Sequence, residues 1–314
     1  MSDAAQPTIY QTWTTDSRRW QHYRRRPGDI IIGTYPKCGT TWTQRIVDLL
    51  VFQSPEARSI LDVSPWIDMR FGPPIEEVIA RADAQQHRRF FKSHLPFDGL
   101  PCYEDVRYIH VARDGRDACM SFFNHCSAYT PQMYEAMDRG ALEMGAPAPR
   151  CPDDVRVFFH EWLTKGIHPG LRDGFPTHSF FDFENTWWNA RERSNVLLVH
   201  YNDLTADLDG EMRRIAGFLS IDVNEGIWPE LVEAATFDDM KRKGSSLLPM
   251  VDVVFEGGTD RFLYKGSNER WRGAIPAEDL ALYEELAGAR FSEPLGRWIE
   301  NGRLKAGDPG TAPD

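Results

Sequence analysis

The chain has 314 residues, 41% of them hydrophobic and 12% aromatic, which suffices for a packed core and suits one large α/β domain. A formal net charge of −11 argues against a general nucleic-acid binder, which needs a basic footprint. Five cysteines, an odd number without CxxC spacing, disfavour both a disulfide scaffold and a zinc site.

Neither a leader-like start nor an apolar run of membrane-spanning length is visible, so the expectation is a cytoplasmic protein without integral membrane association. The cluster Arg24-Arg25-Arg26 reads as a solvated face.

Asp29–Gly33 is a short β-branched run suited to a strand buried on both faces. A loop with Gly, Lys and Thr follows, and Trp42–Phe52 then repeats apolar residues at helical spacing. Arg89–Ser93 and Val106–Ala112 read as further strands, Asp114–Ser127 as a helix with an acidic start, and Asn195–Tyr201 as another buried strand. Thr205–Leu219 is predicted helical, with Met212, Ile215, Ala216 and Leu219 on one face. This alternation predicts an α/β fold: a single P-loop-like domain over 1–305, with a central, mostly parallel sheet flanked by helices.

Two stretches, Tyr129–Pro152 and Lys243–Gly273, lack periodicity and are expected to be lids. The first of them and the aromatic-rich segment Ser179–Trp188 are candidates for an apolar acceptor pocket. The tail, 306–314, is rich in Gly, Pro and Asp and is expected to fray.

Ligands of such sheets bind beyond the carboxyl ends of the strands, and three motifs fall there. Gly33-Thr34-Tyr35-Pro36-Lys37-Cys38-Gly39-Thr40-Thr41-Trp42 joins a strand to a helix start. The free amides there, with Lys37 and two hydroxyls, make an anion site, and Trp42 offers a face for an adenine. Lys37 precedes Gly39 instead of following a glycine, unlike a Mg²⁺-nucleotide loop, so kinase chemistry is disfavoured. In Phe90-Phe91-Lys92-Ser93-His94-Leu95-Pro96, Lys92 and His94 share a strand face and suit attack on an anionic electrophile as cation and base. Arg113, ending a strand, and Ser121 on the next helix form a possible phosphate clamp; the bland alternative is Arg113 or Arg116 paired with Asp114 or Asp117 at the surface. The sequence offers no obvious metal cluster.

Together these motifs resemble the cytosolic-type sulfotransferases that use 3′-phosphoadenosine 5′-phosphosulfate (PAPS), and stretches such as Asp83–Arg89 are similar to bacterial members described as glycolipid sulfotransferases. The likeness extends to Val196–Tyr201, Ala235–Lys241 and Tyr264-Lys265-Gly266-Ser267 before Trp271, and runs in order from about residue 28 to 272. It implies that Lys37, Cys38, Gly39, Thr40 and Thr41 hold the 5′-phosphosulfate, and that Arg113, Ser121, Lys265 and Gly266 hold the 3′-phosphate. Trp42 and Phe237 would sandwich the adenine, with Tyr201 and Thr236 hydrogen-bonding nearby. His94 would be the general base, with Lys37 and Lys92 offsetting charge. The implied reaction is metal-free transfer of a sulfuryl group from PAPS to a hydroxyl or amine of a small-molecule or lipid-linked acceptor, leaving 3′-phosphoadenosine 5′-phosphate (PAP).

Two positions depart from the family pattern. Cys38 stands where Ser is usual, and Tyr264 stands where Arg is usual. The second removes a cation, for which Arg261 and Arg270 are nearby candidates to compensate. The dimerisation signature of animal members is absent between Trp271 and Glu285, so no oligomeric state is implied.

Overall fold

The computed structural model describes residues 6–168 and 171–313. Its four strands are β1 Ile30–Gly33, β2 Phe90–Ser93, β3 Arg107–Ala112 and β4 Val196–His200, and they form one sheet in the order β2-β1-β3-β4. Every neighbouring pair is parallel.

The β-branched runs form strands because both faces are covered, so no polar alternation is needed. Ile30, Ile31 and Ile32 are all fully buried. Successive side chains point to opposite faces: Ile31, Phe91 and Tyr108 join one core, and Ile30, Ile32, Phe90 and Ile109 join the other. The first core is covered by helices Gly115–Cys126, Val155–Thr164 and Phe180–Trp188. The second is covered by α1, Thr40–Phe52, and by helices Leu208–Leu219 and Trp228–Ala234. The segment leaving β1 therefore turns to one face and the segment leaving β3 to the other. Their divergence opens a crevice at the carboxyl edge of the sheet.

Several expectations are corrected. The segment Ser179–Trp188 does not line a pocket. Phe180, Phe181, Phe183, Trp187 and Trp188 are 0–3% exposed and pack in the first core, because the helix turns its aromatic side chains toward the sheet. The two aperiodic stretches contain short helices. The first contains Pro131–Gly140, whose start is capped by the Thr130 hydroxyl accepting from the Met133 amide; the second contains Gly244–Leu247, Val251–Val254 and Gly258–Phe262. The predicted helix at 205–219 is split by Asp207, whose side chain accepts from the Gly210 amide and starts a new helix at Leu208. Within the tail 306–314, expected to fray, Pro309–Thr311 forms a turn with Pro309 buried. Among the described residues no helix is long and apolar enough to cross a membrane. The cysteines are unpaired.

Candidate active site

The crevice opens into a cavity of about 340 Å³. Its floor is the loop from β1 to α1. Two residues of that loop take left-handed backbone angles, Lys37 at φ 71° and Gly39 at φ 115°. A side chain at Gly39 would place Cβ only 3.3 Å from the Tyr201 ring, so glycine meets both the angle and the close approach. Lys37 has no such freedom, and a non-glycine residue held there is a strained position of the kind that clusters at ligand sites. The turn is tied by a 2.5 Å hydrogen bond between the Thr34 and Thr40 hydroxyls.

β2 delivers Lys92 and, just beyond its end, His94; both line the cavity. His94 Nδ1 lies 2.8 Å from the Thr34 carbonyl. A carbonyl only accepts, so Nδ1 carries the proton and Nε2 keeps its lone pair. Burial, and then the charge of Lys92, hold His94 well below the usual imidazole range, so at neutral pH it is an unprotonated base. Lys92 Nζ sits 4.0 Å from the centre of the Trp66 ring, and that ring meets the His94 imidazole edge-on at 5.1 Å.

Beneath both lies Asp68, fully buried. It accepts the indole N–H of Trp66 at 2.7 Å, that of Trp20 at 3.0 Å and the backbone N–H of His94 at 3.2 Å. Trp66 and Asp68 were not singled out from sequence; a Trp and an Asp in a loop carry no spacing signal.

The cavity is strongly biased in charge. Lys37, Lys92, Arg113, Lys265 and Arg270 line it, and no Asp or Glu does among the described residues. Burial, then Lys92 and Arg113, push Lys37 down to about 7; burial pushes Lys92 down to about 8, with Asp68 opposing. Such a surplus of desolvated cations suits a polyanion. Lys37 Nζ also lies 3.3 Å from Nδ1 of His125. His125 was missed by the sequence reading, although it stands four residues after Ser121, hence on the same helix face.

Arg113 forms no ion pair among the described residues. Its guanidinium donates to Asn268 Oδ1 and to the carbonyls of Ser267 and Lys37, and lies 4.0 Å over the Tyr201 ring. Arg116 is the one paired with carboxylates, Asp114 and Glu300, and it is buried with Asp114 instead of lying at the surface. Trp42, Phe237, Tyr201, Ser121 and Gly266 are brought together on the wall, with Thr41 and Thr40. The Trp42 indole donates to the Ala235 carbonyl at 2.7 Å, and Tyr201 donates to the Gly266 carbonyl at 3.2 Å. Gly266, at φ 63°, packs on the Phe237 ring, where an added Cβ would come within 3.0 Å.

Two expected residues are not on the wall. Cys38 is fully buried in the first core, and burial raises its thiol pKa well above the ordinary value, so the Ser-to-Cys departure leaves the cavity surface unchanged. Thr236 spends its hydroxyl capping the helix Phe237–Arg242, accepting from the Asp239 amide and donating to the Glu233 carbonyl.

Beyond the cations the cavity becomes apolar, lined by Tyr129, Met133, Met137, Val254 and Phe255. Both stretches expected to be lids thus contribute residues to this apolar wall.

The family model described as "Sulfotransferase domain" matches residues 27–293. A glycolipid sulfotransferase of Mycobacterium bovis (strain BCG / Pasteur 1173P2) is 35% identical over 94% of this chain and 94% of its own length. Sulfotransferase 1C2 of Homo sapiens is 23% identical over 90% of this chain and 88% of its own. Among solved structures, mouse sulfotransferase SULT7A1 complexed with PAP aligns with a TM-score of 0.68 at 19% identity, covering 90% of this chain and 92% of that one. Retinol dehydratase in complex with androsterone and inactive cofactor PAP aligns with a TM-score of 0.67 at 20% identity, over 89% and 87%. Those two share the fold.

Proposed function

The chain belongs to the sulfotransferase family, and from that premise we propose that it sulfates a neutral hydroxyl on an apolar small-molecule or lipid-linked acceptor, with His94 as general base. It is a PAPS-dependent enzyme. The observation that carries the finer reading is the His94–Thr34 hydrogen bond, which aims a lone-pair nitrogen into a cavity that is cationic at one end and apolar at the other.

The cavity fits a nucleotide bearing several negative charges, since five cationic side chains line it and no carboxylate does among the described residues. Lys37, Gly39, Thr40 and Thr41 would hold the 5′-phosphosulfate, and Arg113, Ser121, Lys265 and Gly266 the 3′-phosphate. Trp42 and Phe237 would flank the adenine, with the Tyr201 hydroxyl nearby. PAPS, when bound, supplies the sulfuryl group.

His94 Nε2 accepts the acceptor's hydroxyl proton as the new O–S bond forms. Lys37 offsets the charge left on the departing phosphate when the old S–O bond breaks, and Lys92 offsets charge on the sulfuryl oxygens. Asp68 and Trp66 keep Lys92 and His94 in register, so the contribution is positioning and electrostatics, as in phosphoryl transfer. The lack of a lining carboxylate among the described residues favours a hydroxyl over a protonated amine, which would enter a cationic cavity without a counter-charge.

The test is turnover of labelled PAPS against matched apolar phenols, alcohols, primary amines and lipid-linked sugars. Transfer to hydroxyls with amines at least about tenfold slower is expected; equal or faster transfer to amines refutes the acceptor class.

A further inference from the structure

The stretch Tyr264-Lys265-Gly266-Ser267-Asn268-Glu269-Arg270 closes the cationic end of the cavity. Tyr264 is surrounded by positive charge: Lys265 at 5.1 Å, Arg270 at 5.5 Å and Arg261 at 5.8 Å from its ring centre. Arg261 is not on the cavity wall, and its Nη2 donates to the Ser127 hydroxyl at 2.9 Å.

Arg113 lines the cavity but is largely committed. Its Nε, Nη1 and Nη2 all donate to the protein, at 2.5–3.3 Å, to Asn268, Lys37 and Ser267. Those bonds tie the 267–268 segment to the β1–α1 loop.

Arg270 is the opposite case. Its guanidinium lines the same cavity, is partly buried, and has neither a hydrogen bond nor an ion pair among the described residues. Asp117, the nearest compensating charge, has an oxygen already taken by the Glu269 amide at 2.6 Å. Burial, then repulsion from Arg113, holds the Arg270 pKa below its usual range. A partly desolvated guanidinium with all its N–H groups unmatched is costly unless a ligand supplies the acceptor.

We infer that Arg270 is a free guanidinium that joins Arg113, Ser121 and Lys265 on the 3′-phosphate of the cofactor, replacing the cation lost at Tyr264, while the hydrogen bonds of Arg113 also brace the two loops. The inference rests on the PAPS-dependent reading above. It gives the 3′-phosphate a planar fork of N–H donors with no competing protein acceptor, a geometry suited to bidentate contact.

Calorimetric titration with PAP and with adenosine 5′-phosphate, which differ only in the 3′-phosphate, separates the roles. Arg270→Ala should weaken PAP about ten- to hundredfold and leave adenosine 5′-phosphate within about twofold. Arg270→Lys should recover part of the loss. Arg113→Ala should weaken both nucleotides, since the segment carrying Gly266 against Phe237 loses its anchor. Arg270→Gln, which keeps bulk and polarity, carries the comparison if the alanine variant melts early.

Wild-type PAP affinity in Arg270→Ala and Arg270→Gln, or an equal loss for both nucleotides, overturns the assignment while leaving the cofactor reading intact. Wild-type protein that binds neither nucleotide overturns both.

Discussion

The two lysines of the site should make cofactor binding a proton-uptake reaction. In the free protein Lys37 lies at about 7 and Lys92 at about 8, each lowered first by burial. At pH 8, roughly one-tenth of Lys37 and about half of Lys92 are therefore charged. A polyanion binds the charged forms, raising both pKa values in the complex. The sign follows: affinity is full below about pH 7 and falls as pH rises through the free-protein values, and saturation at pH 8 draws about one to one and a half protons from the buffer. PAP titrated calorimetrically in HEPES and in Tris, at equal pH and ionic strength, reads this directly, because the enthalpy difference scales with protons taken up. Lys37→Arg is the control, since guanidinium stays charged throughout; uptake should fall by about 0.9 proton while affinity at pH 7 is retained. Buffer-independent enthalpy at pH 8, with a dissociation constant flat from pH 7 to 9, would mean that both lysines are already charged in the free protein, and the desolvation argument would fail.

His94→Ala or His94→Asn should lower turnover about 10²–10⁴-fold with PAP affinity nearly unchanged; retention of more than half the wild-type rate sinks the general-base role. Asp68→Asn should cut kcat about tenfold while KM and PAP affinity stay within about twofold, because it loosens Trp66 and the His94 amide without touching the nucleotide; an unchanged kcat removes Asp68 from the positioning network.

Legibility along the chain followed the range of the forces involved. All four strands could be read because each is a short apolar run needing no partner to be recognised, and the observed bounds lie within one or two residues of those expected. The cationic end of the cavity was equally legible, since Lys37, Gly39 and Thr40 fall in one contiguous turn that lines it. What failed were claims about where a side chain points. Phe180–Trp188 announces apolar surface, but only the packing of its helix against Ile31 and Tyr108 decides that the surface is core and not cavity. Cys38 and Thr236 sit inside the right motifs, yet one is turned into the core and the other is consumed by a helix cap. The helices Gly244–Leu247, Val251–Val254 and Gly258–Phe262 are too short to show a period.

The apolar end was legible only in part, through the stretch Tyr129–Pro152, for a further reason, which also bears on specificity. Its wall is assembled from Trp13, Trp66, Met137 and Phe255, positions far apart in the chain whose meeting depends on the whole topology. Five methionines, Met69, Met133, Met137, Met240 and Met250, line the cavity; their unbranched, polarizable side chains adapt to ligand shape. Lys37 and His125 stand where this adaptable chamber meets the cationic end, with Lys37 Nζ also 4.4 Å over the Phe262 ring. The cationic end is held by loops and charged forks, whereas the apolar end is held by dispersion and ring contacts among short helices. The chemistry is thus specified by a rigid constellation and the acceptor by a deformable one, so substitutions at Met137 or Phe255 should redistribute acceptor preference at constant PAP affinity, whereas those at Lys37 or His94 should depress transfer to every acceptor alike.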